Sequence, residues 1–149
     1  TRKSTSGGVV YRGDHVLKHW STSQSTIALS SAEAELIALV KGGSEALGMR
    51  SLIRDLGRNC KISVGVDAAA TIGVVKRHGV GRVRHLDVRF LWIQERIQSG
   101  DFHIWKVPGT ENPADLMTKF LGSEQVHAAL VSMNAWFMEG RAASAPAIC

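Results

Sequence analysis

Residues 61–67, "KISVGVD", alternate in chemistry: Ile62, Val64 and Val66 fall on one face, and Lys61, Ser63, Gly65 and Asp67 on the other. That is the period of a strand with a single buried face. Helical patterns lie on both sides of it. Before it, Leu36, Leu39, Val40, Leu47, Ile53 and Leu56 recur mostly at three- and four-residue intervals up to Gly57; after it, "AAATIGVV" reads as a short helix of small residues. A strand held between helices can bury its apolar face only in a layered α/β arrangement, which removes the all-α and all-β classes.

The remaining elements complete that pattern. "GVVYRGDHVLKHWSTS", residues 8–23, reads as a β-hairpin turning at Gly13-Asp14, a pair suited to a tight turn. Ser30 and Glu33 form an S-x-x-E capping box at the start of the long helix, the serine taking an orphan N–H and the glutamate reaching back to the cap. Gly42-Gly43 in the middle of that helix requires either a close backbone approach or a break. Leu86, Phe90, Ile93 and Ile97 mark one stripe of a further helix ending at Gly100, "DFHIWKV" (101–107) is the last strand, and Asn112-Pro113 opens a helix over "ADLMTKFL". The predicted class is therefore α/β with a mixed sheet flanked by helices.

With 149 residues, one domain is expected. No apolar run approaches the ~20 residues of a membrane span, and the opening "TRKSTSGG" lacks the apolar middle of a secretory signal, so an intracellular setting is expected, with no membrane partner. Two cysteines, Cys60 and Cys149, are too few for a disulfide framework or a cysteine zinc site. His15 and His19 stand roughly 13 Å apart along a strand at ~3.3 Å per residue, too far for one zinc ion. Lys and Arg outnumber Asp and Glu by 18 to 13, which favours an anionic partner without naming one.

Glu33 and Glu35 are separated by about 200° on a helix, so they serve different faces. Glu33 closes the capping box, which leaves Glu35 for another task. Asp67 ends the strand, and Asp115 lies in the first turn of the last helix. Each acid also has a plain explanation: Glu35 as a solvated helix residue, Asp67 as the N-cap of the next helix, Asp115 as a favourable charge at a helix N-terminus. Lys76, Arg77, Arg82, Arg84 and Arg89 crowd one short stretch, suited to phosphate and equally to a solvated loop.

"TRKSTSGG", "SSAEAE", "RHLDVRFLWIQERI" and "VPGTENPADLMTKFL" resemble the ribonuclease H domain of copia-type retrotransposon Pol polyproteins, over residues 1 to about 122. The resemblance implies a ribonuclease H-like fold of one mixed sheet with helices. It also implies two Mg²⁺ ions, for which Mn²⁺ can substitute, held by carboxylates that cut the RNA strand of an RNA–DNA hybrid. Position by position, the metal-binding and catalytic acids fall on Glu35, Asp67 and Asp115. Around Asp67 the family reads D-N-Q-S-A where this chain reads D-A-A-A-T, which removes polar neighbours.

The family's first acid lies on a strand just before the T-R-x-S-T-S-G stretch, so a chain beginning at Thr1 is expected to lack that central first strand and one of four ligands. Asp14, in the hairpin turn, cannot replace it. The resemblance places Trp20, Ser21 and Gln24 toward the hybrid, with a core place as the other reading of Trp20, and matches His85 to a family histidine that serves as a cap or a phosphate contact; the crowded charge adds Lys76, Arg77, Arg82 and Arg84 toward nucleic acid. The expected partners are the hybrid and the upstream reverse transcriptase region of the same polyprotein. Residues 123–149 are expected to add an amphipathic helix through Val126, Leu130, Met133 and Phe137, followed by a frayed tail. The alternative to an endoribonuclease is a catalytically inactive nucleic-acid-binding or scaffold remnant.

Overall fold

A computed structural model describes residues 3–77 and 88–135. Its elements run β1 (Thr5–Arg12), β2 (His15–Ser23), α1 (Ser31–Asp55), β3 (Ile62–Val66), α2 (Ala69–Val75), α3 (Val88–Gln98), β4 (Phe102–Lys106), two short 3₁₀ turns (Gly109–Glu111 and Pro113–Met117) and α4 (Ser123–Ser132). The α/β class and the mixture of strand directions hold. β1 and β2 form the antiparallel hairpin, whose register slips between Val10 and Tyr11, and β3 pairs with β4 in parallel. The strands nonetheless form two sheets of two, because among the described residues β1 pairs only with β2 and β3 only with β4.

The core lies where α1, α2 and α3 meet β3 and β4. Leu36 and Leu39 of α1, Val75 of α2, Phe90 and Ile93 of α3, Ile62 and Val66 of β3, and Phe102 and Ile104 of β4 form one buried cluster. The spacing of these residues in each element is the period read from the sequence, so burial follows directly from pattern. Arg50 of α1 and Arg96 of α3 both donate to Asp101 at the start of β4, at 2.9 and 3.1 Å. Those bonds hold the Asp101 carboxyl below the usual carboxylate range.

α1 runs unbroken through Gly42-Gly43, so the close approach wins over the break. A Cβ on Gly43 would stand 2.8 Å from Ile93 Cδ1 and 3.2 Å from the Phe102 ring; the glycine lets a helix, a second helix and a strand share one point. Gly43→Val is therefore expected to lower stability by about 2 kcal/mol, within the range for overpacking a tight core, as read by the urea midpoint. The helix ends at Gly57, whose φ of 77° only glycine adopts cheaply.

Two expectations change. At the start of α1, Ser30 accepts from the Glu33 N–H at 3.1 Å, but Glu33 reaches past the cap to accept from the Leu29 N–H at 2.7 Å. The expected helix over "ADLMTKFL" is instead a 3₁₀ turn that stops at Met117. Phe120 explains the stop: it is fully exposed, so a longer helix would have had no apolar face to bury there. Phe137, Arg82, Arg84, His85 and Leu86 lie outside the described residues.

Candidate active site

Three elements carry the candidate acids. Ser30 and Glu33 fix the start of α1 and its rotation, and Glu35 then projects roughly opposite Glu33. β3 delivers Asp67 immediately beyond its last residue. Asn112 and Pro113 set the 3₁₀ turn that carries Asp115. The side chains stand close enough for their charges to act on one another: the Glu35 carboxyl is pushed above its ordinary range, first by loss of water around it and then by the negative charges of Asp67 and Asp115, against the lowering effect of Lys119. Glu35 is exposed as a residue, so its carboxylate is only partly stripped of solvent.

The plain alternatives fare differently. Asp67 does not cap α2, since the N-cap is Ala68 and no side chain bonds there. It instead accepts from Asn112 Nδ2 at 3.1 Å. Asn112 uses both ends of its amide, because its Oδ1 accepts from the Ala114 N–H at 3.1 Å. One side chain thereby ties the end of β3 to the turn bearing Asp115. Asn112→Asp keeps the capping acceptor but sets a negative charge against Asp67. It is expected to cost about 1–2 kcal/mol at neutral pH, a loss that shrinks in chemical unfolding below pH ~4 as carboxylates protonate.

Lys119 completes the cluster. Its Nζ lies 2.8 Å from Asp115 Oδ2, and that bond, together with the charges of Asp115, Asp67 and Glu35, holds the ammonium above the usual lysine range. The signal for Lys119 was present in the sequence as an Asp/Lys spacing of four. Asn112 was legible only as a cap, not as a partner of Asp67.

Glu35 and Asp67 line a cleft of about 590 Å³, and Asn112 to Ala114, just before Asp115, line it too. Its walls are β1 (Gly7 to Tyr11) and β3 (Ile62 to Val66), one strand from each two-stranded sheet and each with one edge unpaired among the described residues, and α1 supplies Glu35, Ala38, Leu39 and Gly42. Trp20 also lines it, with its ring directly against Gly8. Its indole N–H is buried and finds no partner among the described residues.

The other residues expected at nucleic acid scatter. Gln24 is not a surface contact: it is buried, and its Nε2 donates to Ser6 Oγ at 3.0 Å and to the Ala34 carbonyl at 2.9 Å. Sequence reading missed this because a polar residue after a hairpin looks exposed, whereas here it ties β1 to α1. Ser21 is exposed, and its hydroxyl donates to the Met117 carbonyl at 2.7 Å. Lys76 and Arg77 are exposed at the far end of α2, ~10 Å of helix beyond Asp67 at ~1.5 Å per residue.

In kind, carboxylates are the donors a hard divalent cation takes, and Asp67 and Asp115 both act on Glu35. In placement the set does not close on an ion. Among the described residues no three Asp, Glu, His or Cys side chains are near enough to one another to hold an ion.

The chain is similar to retrovirus-related Pol polyproteins of transposons. It is 32% identical over 120 residues to the one from transposon TNT 1-94 of Nicotiana tabacum, covering 79% of this chain and 9% of that protein. It is 28% identical over 119 residues to those from transposons RE1 and RE2 of Arabidopsis thaliana, in each case 78% of this chain and 8% of the relative. The chain thus spans under a tenth of the length of the curated relatives it matches. No family model matches the chain, and no solved structure matches it. Among the described residues, no helix is long and apolar enough to cross a membrane.

Proposed function

We propose that this region of a Pol polyprotein is its ribonuclease H domain, an intracellular endonuclease for the RNA strand of RNA–DNA hybrids. The observation that carries the reading is that the charges of Asp67 and Asp115, 32 and 80 positions away, both add to the burial that raises the Glu35 carboxyl. Similarity to transposon Pol polyproteins supports the same reading.

Glu35, Asp67 and Asp115 would hold the divalent ions, Mg²⁺ or in its place Mn²⁺. When bound, such a pair supplies activation of water and stabilisation of the leaving oxygen in phosphodiester hydrolysis. The remaining roles belong to the protein. Asn112 orients Asp67 through its Nδ2 bond, a duty that matters more because the residues after Asp67 are alanines with no polar group to offer. Lys76 and Arg77, exposed at the far end of α2, would attract the phosphate backbone. Ser21 keeps acceptor capacity that can meet a 2′-hydroxyl, the group that separates RNA from DNA.

The cleft between β1 and β3 has the place and the shape for one more strand, and the family resemblance puts a fourth carboxylate on it. That strand would come from the polypeptide ahead of this region, linking the domain to the reverse transcriptase part of the polyprotein. The test is cleavage of an end-labelled RNA–DNA hybrid by the chain extended through that strand, in Mg²⁺ or Mn²⁺ against EDTA. Absence of metal-dependent cutting overturns the reading.

A second reading, a catalytically inactive nucleic-acid-binding or scaffold remnant, is favoured by one observation: among the described residues no three acids come near enough to grip an ion. It predicts hybrid binding that weakens steeply with salt and no cutting by either form.

A further inference from the structure

We propose that Phe120 is a stacking platform for one unpaired base, so that the chain prefers an RNA–DNA hybrid with a single-stranded flank to a blunt one. The inference rests on the nucleic-acid reading given above and requires no metal ion.

The turn that carries the ring is fixed from two sides. The Ser21 hydroxyl of β2 donates to the Met117 carbonyl at 2.7 Å, and the Asp115 carbonyl accepts from the Thr118 and Lys119 N–H groups at 3.1 and 2.9 Å. Gly7 of β1 comes so near that a Cβ on it would stand 2.6 Å from Thr118 Cγ2 and 2.7 Å from Met117 Cβ. The backbone is thus held as far as Lys119, while the side chain of the next residue, Phe120, is fully exposed. A ring on a fixed base has little freedom left to lose when a partner orders it.

The surroundings of the ring decide what it can take. Thr118, Lys119, Gly122 and Ser123 are all exposed, so Phe120 stands among polar and small residues and not in an apolar patch. A docked protein covers ~800 Å² on each side around a water-free centre, and one aromatic side chain of roughly 150–250 Å² does not supply that. A single base needs only the face of one ring, whatever its sequence. Inside a hybrid duplex each base already has its faces covered by its neighbours, so a free face comes only from an unpaired nucleotide. Phe120 follows Asp115 by five positions, on the same short turn and its exit, which puts the single-stranded flank beside the candidate site.

The test measures fluorescence anisotropy at low salt, in EDTA, with a labelled RNA–DNA hybrid that is either blunt or extended by a short single-stranded RNA flank. The parent chain is compared with Phe120→Ala, Phe120→Leu and Phe120→Trp. The parent is expected to bind the flanked hybrid more tightly than the blunt one. Phe120→Ala should lose about tenfold in affinity for the flanked hybrid, within the range for one base stacked on an aromatic ring, and nothing for the blunt one. Phe120→Leu should lose as Phe120→Ala does, and Phe120→Trp should keep the preference. All three variants should melt with the parent, because the ring packs against nothing.

Equal binding of the flanked hybrid by parent and Phe120→Ala overturns the proposal and leaves the nucleic-acid reading intact. A loss of the same size on both hybrids, or a Phe120→Leu chain that binds as the parent does, shows a contact other than base stacking and also ends it. A parent chain that binds neither hybrid overturns the proposal and the nucleic-acid reading together.

Discussion

Replacing Glu35 with Gln is expected to remove metal-dependent cleavage of the hybrid while leaving the metal-free fold at least as stable as before. The loss of activity should exceed the ~10–100-fold typical when a supporting residue around a metal is changed, because the carboxylate itself is a proposed ligand and an amide oxygen is a weaker one. The stability effect has the opposite sign. In the folded chain Glu35 holds its proton more tightly than its ordinary value of 4.5, through loss of water and the charges of Asp67 and Asp115. A raised carboxyl contributes stability that is present below the unfolded value and is lost as pH rises through the folded one.

Above that window, ionised Glu35 is a cost in the absence of metal. Glu35→Gln removes the cost, so the variant's urea midpoint should exceed the parent's at pH 7 and the two should converge toward pH 4. The exposure of Glu35 limits the gain to less than ~1 kcal/mol. Lost cleavage with an unchanged or improved fold separates a ligand from a structural residue. A Glu35→Gln chain that still cuts, in a form whose parent cuts, removes Glu35 from the site.

What the sequence disclosed about this arrangement came mostly from periods and caps. The split of duties between Glu33 and Glu35 follows from an angle of about 200°, and the structure keeps Glu33 at the helix end and Glu35 among the other acids. The core face of α3 was legible because Phe90, Ile93 and Ile97 repeat at helical spacing, and the first two are buried. Gly43 was legible only as a choice between two outcomes. Which one occurs depends on Ile93 and Phe102 arriving from 50 and more residues away, and no local pattern carries that information.

The turn after Pro113 shows the opposite failure. Its sequence has a cap, a first-position proline and apolar residues at intervals that suit a helix, yet regular structure ends at Met117. Local preference was outweighed by the lack of anything for Phe120 to pack against. Gln24 was misplaced for a related reason: side-chain polarity suggests exposure, but two hydrogen bonds to Ser6 and Ala34 make its burial affordable. Asp67 and Asp115 could be proposed together only through a resemblance, since their convergence is a property of the assembled elements.

Supplying a strand between β1 and β3 is expected to produce the largest gain in stability available to this chain. Each wall of the cleft is a strand with one unpaired edge, and such edges stay solvated or find a partner. An extended segment of five residues, ~17 Å long, matches the length of Ile62–Val66 and can bond to both edges at once. At ~1 kcal/mol net per hydrogen bond, even a few bonds, less the cost of ordering the segment, should raise the melting temperature by several degrees, given roughly 2–4 °C per kcal/mol for a chain of this size. The control is the same extension with proline at alternate positions, which cannot donate to a ladder. If the strand fills the cleft, the unsubstituted extension stabilises and the proline version does not. If both extensions melt with the unextended chain, β1 and β3 are not two sides of one interrupted sheet, and the fourth ligand has no route to Glu35 and Asp67.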